Sequence, residues 1–400
     1  MVSFEDTAIW GATVVIDQPN NTASVAGGGE LQSLTANDVA GNSLSSPSLL
    51  VVKWSEGMRF EGAKASAEFL GRVTAQQKAE GDKPRALNPP TPDVVPAAQR
   101  EVLPPPRDAG PLNTAATTTN LWCHRLDLTL DRPVYFNQTR KNDRNKANRG
   151  QAEPQPKVKL AVAVPDPSAV KWEDKQVFFQ EMSISPAGEV VKARLLRAKQ
   201  MDFDNLSKEQ RLFATGPGEL RLLQAAKSDE AKKSTEGNGE MKLTVVDFQN
   251  TMTAIDQGNG LYQEATFEKG GVVIRTPTKD LGLRVEPHDL PPRSEYLRSE
   301  DRLIVSSAKP KKEAEADQRL TATGNAEFRD AARTGLGHKI VFDGTRVTLE
   351  ANLGGMASLY SNKRAVNQQQ VTRAKKFIYN SVTGVVELSD SSGGTILPGR

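Results

Sequence analysis

Hydrophobic and polar residues alternate with a period of two in several short runs. The clearest are Leu126-Asp127-Leu128-Thr129-Leu130, Val347-Thr348-Leu349, Val385-Val386-Glu387-Leu388, and Ile340-Val341-Phe342 ahead of Asp343-Gly344. Such alternation places one apolar and one polar face on a strand. Gly, Asn or Asp interrupts the runs about every 8 to 12 residues, the spacing of an all-β chain. One segment conflicts with that reading. Glu189 to Met201 (EVVKARLLRAKQM) is rich in helix formers, and propensity alone predicts a helix there.

Internal repetition resolves the conflict. Val15-Ile16-Asp17 precedes Gly27-Gly28-Gly29-Glu30-Leu31, Asp202-Phe203-Asp204 precedes Gly216-Pro217-Gly218-Glu219-Leu220, and Ile378-Tyr379-Asn380 precedes Ser392-Gly393-Gly394. Val51-Val52-Lys53-Trp54 with Met58 returns as Val245-Val246-Asp247-Phe248 with Met252. Ala67-Glu68-Phe69 with Gly71 and Val73 returns as Ala265-Thr266-Phe267 with Gly271 and Val273, and more briefly as Ala326-Glu327-Phe328. Arg197-Ala198-Lys199 matches Arg373-Ala374-Lys375, and Arg373 to Leu388 reads as a hairpin turning near Asn380 to Gly384. The segment around Arg197 is therefore expected to be strand. Each unit contains a strand, an Asp or Asn turn, a return strand, a Gly-rich bend and an aromatic strand. A unit of this kind cannot cover its own apolar face, so copies stack into an elongated sandwich, jelly roll or solenoid.

Composition changes how the 400 residues divide. Nine prolines fall between Lys78 and Asn120, which reads as an extended, solvated insertion. A basic run from Arg140 to Arg149 reads as a solvated loop, with contact to anionic lipid or nucleic acid as the sharper alternative. Shorter polar stretches run from Ala225 to Glu240 and from Ser306 to Gln318. Lys plus Arg total 52 against 49 Asp plus Glu, and a net charge of +3 is too small for a nucleic-acid binder driven by counterion release. No apolar run approaches the roughly 18 to 20 residues of a membrane helix. Residues 1–6 carry neither the basic nor the apolar region of an export signal, which predicts either a cytoplasmic protein or a chain that has lost its signal.

The C-terminal third resembles the OstA-like (LptA-like) family of lipopolysaccharide-transport proteins, which includes LptA and the N-terminal domain of LptD. The likeness lies in Leu320-Thr321-Ala322-Thr323-Gly324-Asn325-Ala326-Glu327-Phe328, in Lys339 to Leu349, and in Arg373 to Asn380 with Gly384 to Leu388. It is weaker over 184–275 and slight over 12–75. The resemblance divides the chain into unit 1 (1–137, with the Pro-rich insertion 78–120), a basic linker (138–157), unit 2 (158–310) and a partial unit 3 (311–400). It implies an all-β fold of repeated β-jelly-roll or β-taco units, solenoid-like, with an apolar interior that holds acyl chains. It also implies head-to-tail pairing of sheet edges with other such modules, and a periplasmic or outer-membrane setting. The partner so implied is lipopolysaccharide or another acylated amphiphile. Met58, Phe60, Phe69, Met252, Phe267, Phe328, Phe342 and Phe377 are the candidate lipid-contacting residues, being large or adaptable side chains on the apolar faces. The bland alternative is that they fill a closed core.

Catalytic chemistry finds little support. Cys123, the single cysteine, cannot form an intrachain disulfide, and with His124 it makes a poor dyad because neighbours on a strand point apart. The glycine clusters lack the Lys and Ser or Thr of a phosphate loop and read as bends. Asp17, Asp204 and Asp343 sit at turns, where aspartate bonds its own backbone. The expectation is a non-enzymatic protein with no cofactor, no metal and no nucleic-acid partner. A ligand-free structural scaffold and a β-helix carbohydrate-active enzyme are the rivals.

Overall fold

The computed structural model describes residues 2–4, 7–37, 43–79, 116–135, 156–170, 175–185, 187–205, 210–225, 241–256, 262–308, 318–343, 346–361, 371–381 and 383–389. Their regular structure is strand, apart from a 3-10 turn over Gly62–Lys64 and a 3-10 residue at Lys175. In chain order the strands begin with β1 (Val2–Phe4), β2 (Thr7–Asp17), β3 (Thr22–Asn37), β4 (Ser43–Trp54), β5 (Gly57–Glu61), β6 (Ser66–Ala79) and β7 (Ala116–Leu130). Next come β8 (Val158–Val164), β9 (Val177–Ile184), β10 (Val190–Ala198), β11 (Gln200–Asp204), β12 (Gln210–Thr215) and β13 (Gly218–Ala225). They continue with β14 (Met241–Phe248), β15 (Thr251–Asp256), β16 (Tyr262–Glu268), β17 (Gly271–Pro277), β18 (Glu295–Ser299), β19 (Arg302–Ala308) and β20 (Gln318–Arg329). The last are β21 (Arg333–Asp343), β22 (Arg346–Glu350), β23 (Ala357–Ser361), β24 (Val371–Ala374), β25 (Lys376–Asn380) and β26 (Val386–Ser389).

The chain forms two compact units, Met1–Val191 with Lys199–Gln210, and Lys192–Ala198 with Arg211–Arg400. Residues on either side of position 310 lie in the same unit, where β19 and β20 pair directly.

Within each unit the antiparallel ladder bends, and long strands run through the bend into two wings. In unit 1, residues 29–37 of β3 pair with β4 while residues 22–26 pair with β5. β6 divides in the same way between β4 and β5. In unit 2, residues 318–323 of β20 pair with β19 while residues 327–329 pair with β18. The wings then face one another. Trp54 packs against Phe69 at 5.3 Å in unit 1, and Phe248 against Phe267 at 5.5 Å in unit 2, with nearly the same interplanar angle.

The bend needs backbone that ordinary strand residues resist. Gly71 and Arg72 have φ of 76° and 43°, and the β6–β7 ladder steps from Leu70 to Val73. Gly324 and Asn325 have φ of 74° and 45°, and the β20–β21 ladder steps from Thr323 to Ala326. Two successive left-handed residues turn the chain, and glycine meets that demand without steric cost. The freed amides are satisfied identically in both units. Ser55 and Glu56 donate to the carbonyls of Gly71 and Leu70 (2.6 and 3.0 Å), and Glu300 and Asp301 donate to those of Gly324 and Thr323 (2.9 and 3.1 Å). Gly27 then donates to Glu56, and Gly270 to Asp301, each at 2.8 Å.

Aromatic residues explain two other glycines in the repeat. Trp54 lies over Gly29 and Phe248 over Gly218, its registered cross-strand neighbour in each case, so closely that a Cβ would collide with the ring.

Alternation assigns the faces. In the wing of unit 2 that contains β15, β16 and β19, Met252, Phe267, Leu303, Ala322, Ile340, Leu349 and Phe377 form one registered inward row, all buried. The opposite face of the same strands carries the ion pairs Glu268–Arg302 (3.0 Å) and Glu350–Lys376 (2.9 Å), both directly across the ladder.

The strand expected around Arg197 is present as β10, despite its helical propensity, registered against β13 and with Ala193, Leu195, Leu196 and Ala198 buried. Two boundaries shift. The insertion read as 78–120 is narrower, since Lys78 and Ala79 end β6 and residues 116–120 begin β7, where Thr117 and Ser183 share a hydrogen bond across strands. The hairpin read as 373–388 consists of β25 and β26, while Arg373 and Ala374 belong to β24 in the other wing. Gly27 to Gly29, read as a bend, lie within β3 where the strand passes from its pairing with β5 to its pairing with β4, with Gly27 at a φ of 77°. The basic run Arg140–Arg149 and the Gly393-Gly394 bend lie outside the described residues.

Each of Gly71→Ala and Gly324→Ala is expected to destabilise the protein by about 1–3 kcal/mol, because each puts a Cβ at positive φ. Urea unfolding of the full chain measures this, and a change below about 0.5 kcal/mol would show the bend to be unstrained.

Candidate functional site

The eight residues proposed for lipid contact all lie on strands, and the structure groups them by unit. Met58 and Phe69 are registered neighbours in one buried row of unit 1, which Val25 and Leu126 continue. Phe60 lies one row farther from the bend and is only part-buried. In unit 2, Met252, Phe267 and Phe377 share the row nearest the bend, and Phe342 stands in the next row beside Leu320 and Val347. Phe328 comes from the opposing wing and meets the rings of Phe342 at 6.4 Å and Tyr379 at 6.3 Å. Except for Phe60, all are 4% exposed or less.

Cys123 and His124 do not converge. The thiol is buried, and burial pushes its pKa up to about 12. His124 lies 4.0 Å from Asp166 at its Nδ1. Among the described residues no group of three His, Cys, Asp or Glu side chains is placed to hold a metal ion.

A polar constellation that sequence reading overlooked lies in unit 2. Along β17, Val273 and Arg275 point inward together, and Arg275 is registered opposite Glu295 on β18. The Arg275 side chain is only 8% exposed. Its Nε stands 3.3 Å from Glu295 Oε2, and its guanidinium carbon is 4.6 Å above the ring of Phe342. Neither Nε nor Nη1 makes a hydrogen bond, although both are sealed from solvent. Burial pushes the Glu295 carboxyl up from its ordinary pKa, Arg275 and Lys242 oppose that shift, and Asp330 adds to it.

Asp330 turns the chain between β20 and β21, accepting from the amides of Ala332 and Arg333, both at 2.7 Å. Its other carboxylate oxygen accepts the Tyr379 hydroxyl at 3.0 Å, and Arg333 lies 5.9 Å from the Tyr379 ring. Burial, followed by the charge and hydrogen bond of Asp330, raises the tyrosine pKa. Val273, Glu295, Tyr296, Leu297, Leu320, Phe328 and Phe342 line a cavity of about 10 Å³, roughly the room of one water. The interior of unit 2 thus changes from apolar near the bend to charged two residues from the end of β17. The signal was available in the chain, since Arg275 shares the parity of the inward Val273.

Comparison with protein-family models, curated proteins and solved structures finds no match to this chain.

Phe267→Ala is expected to cost about 3–5 kcal/mol in urea unfolding, and Phe60→Ala roughly half of that, in keeping with their burial. Cys123 is expected to resist a thiol reagent at pH 8 in the folded protein and to react fully in denaturant. Rapid labelling of the native chain would contradict the buried position.

Proposed function

We propose that this chain is a non-enzymatic module of a bacterial cell envelope that holds or passes acylated amphiphiles of the lipopolysaccharide type between its wings. The observation that carries the reading is the pair of inward apolar faces. Two wings meet at a hydrogen-bonded bend, and registered rows of Phe, Met, Leu and Val run across successive strands on the inside of each unit. Acyl chains match such a surface, gaining about 0.8 kcal/mol for each CH₂ removed from water. The OstA-like motif adds support, because its Gly324-Asn325 is the dipeptide that makes the bend in unit 2.

A specific observation favours a second reading, the ligand-free scaffold. Phe69, Phe267, Phe328, Phe342 and Phe377 are sealed, and the cavity beside Phe342 is the size of one water. On the amphiphile reading the wings must part to admit a chain, at the expense of aromatic contacts between them.

Titration of the purified chain with a fluorescent fatty-acid analogue and with lipid A separates the two. Saturable binding is expected, weakened about tenfold or more by Phe60→Glu. That position is part-buried and tolerates a charge better than the deep row does. Absence of saturable binding to either probe would leave the scaffold.

A further inference from the structure

We propose that Arg275 anchors the head group of the ligand in unit 2, taking a phosphate or carboxylate oxygen of an amphiphile whose chain lies along Val273, Leu297 and Phe328. This rests on the amphiphile reading above and adds the chemistry of the ligand's polar end.

The first support is the unmet demand of the guanidinium. Arg275 has an 8% exposed side chain and two sealed nitrogens without hydrogen bonds. Buried charges are normally paired and their donors satisfied, because desolvation is otherwise uncompensated. Glu295 supplies an opposite charge 3.3 Å from Nε without completing a hydrogen bond there. An anionic oxygen of the ligand would supply the missing acceptor, and a phosphate or carboxylate suits the planar fork of arginine.

The second support is position. Arg275 lies two residues before the end of β17 at Pro277, and Val273 lies two residues farther toward the bend on the same face. A head group at Arg275 would therefore lie near the end of β17 while its chain extended toward the apolar row. The guanidinium is held on the Phe342 ring, and Phe342 and Glu295 both line the adjoining cavity. Glu295 is then the competitor. It occupies the charge that the ligand would use, and an incoming anion must displace it or meet it in neutral form.

Calorimetric titration of the full chain with dodecyl phosphate, below its micelle concentration, tests this against dodecyl glucoside, which has the same chain and a neutral head. Wild type is expected to bind the phosphate at least tenfold more tightly. Arg275→Met should abolish that preference, and Arg275→Lys should keep part of it. Glu295→Gln should tighten dodecyl phosphate severalfold and leave the glucoside unchanged. Inorganic phosphate is the third probe, and binding as tight as that of dodecyl phosphate would overturn the head-group assignment in favour of a free-anion site. Equal affinity for both dodecyl ligands, unaltered in the Arg275 and Glu295 variants, would overturn this inference and leave the amphiphile reading standing. Failure of both ligands to bind would remove that reading and this one together. Should Arg275→Met not fold, Glu295→Gln decides alone, and an unchanged affinity for dodecyl phosphate would overturn the proposal.

Discussion

The fold depends on carrying an antiparallel ladder around a bend without abandoning its backbone hydrogen bonds. Strands crossing the bend must interrupt their register, and an unpaired amide buried there would cost as much as a lost hydrogen bond. Both units use the same solution. Gly71-Arg72 and Gly324-Asn325 turn the chain through two left-handed residues, and the amides of Ser55-Glu56 and Glu300-Asp301 bond back to the carbonyls around them. Everything inside the wings follows from that geometry, since it aims the alternate residues of both wings at a shared interior.

Depth from the bend then sets composition. Close to it, the space between wings is filled by Phe69 against Trp54 and by Phe267 against Phe248. One row farther out, the same inward positions tolerate part-buried Phe60 in unit 1. On the facing wing of unit 2, the step from Val273 to Arg275 takes the inward face from apolar to charged. This gradient is what an amphiphile would need. A closed scaffold also accounts for the apolar part, and the pairing of Arg275 with Glu295 and Phe342 is compatible with either reading.

That guanidinium is a poor source of stability. A buried ion pair seldom repays the desolvation of its two members, and well-packed apolar residues often do as well. Arg275 recovers part of the cost from the face of Phe342 and from Glu295. Asp330 adds a second negative charge near Glu295, while Arg333 and the Tyr379 hydroxyl bring balancing charge and a donor to the same region. Polar groups of both signs are thus concentrated at one level of an otherwise apolar interior.

Period-two alternation was enough to recognise strands such as Leu126 to Leu130, because side-chain direction on a strand is a local property of the backbone. The repeat was also legible: Trp54 with Met58 returns as Phe248 with Met252, and the match of Arg197-Ala198-Lys199 to Arg373-Ala374-Lys375 read β10 correctly against its helical propensity. The turns at Asp17 and Asn380 were equally local, each side chain accepting a hydrogen bond from a nearby backbone amide. Tertiary structure decided which apolar rows face each other and how far each lies from the bend. It also decided that the β20–β21 ladder breaks at Gly324-Asn325, and that Arg275 meets both Glu295 and Phe342. Phe342 lies 67 positions from Arg275, and no local pattern records that proximity, because it arises only when the bend brings two wings together.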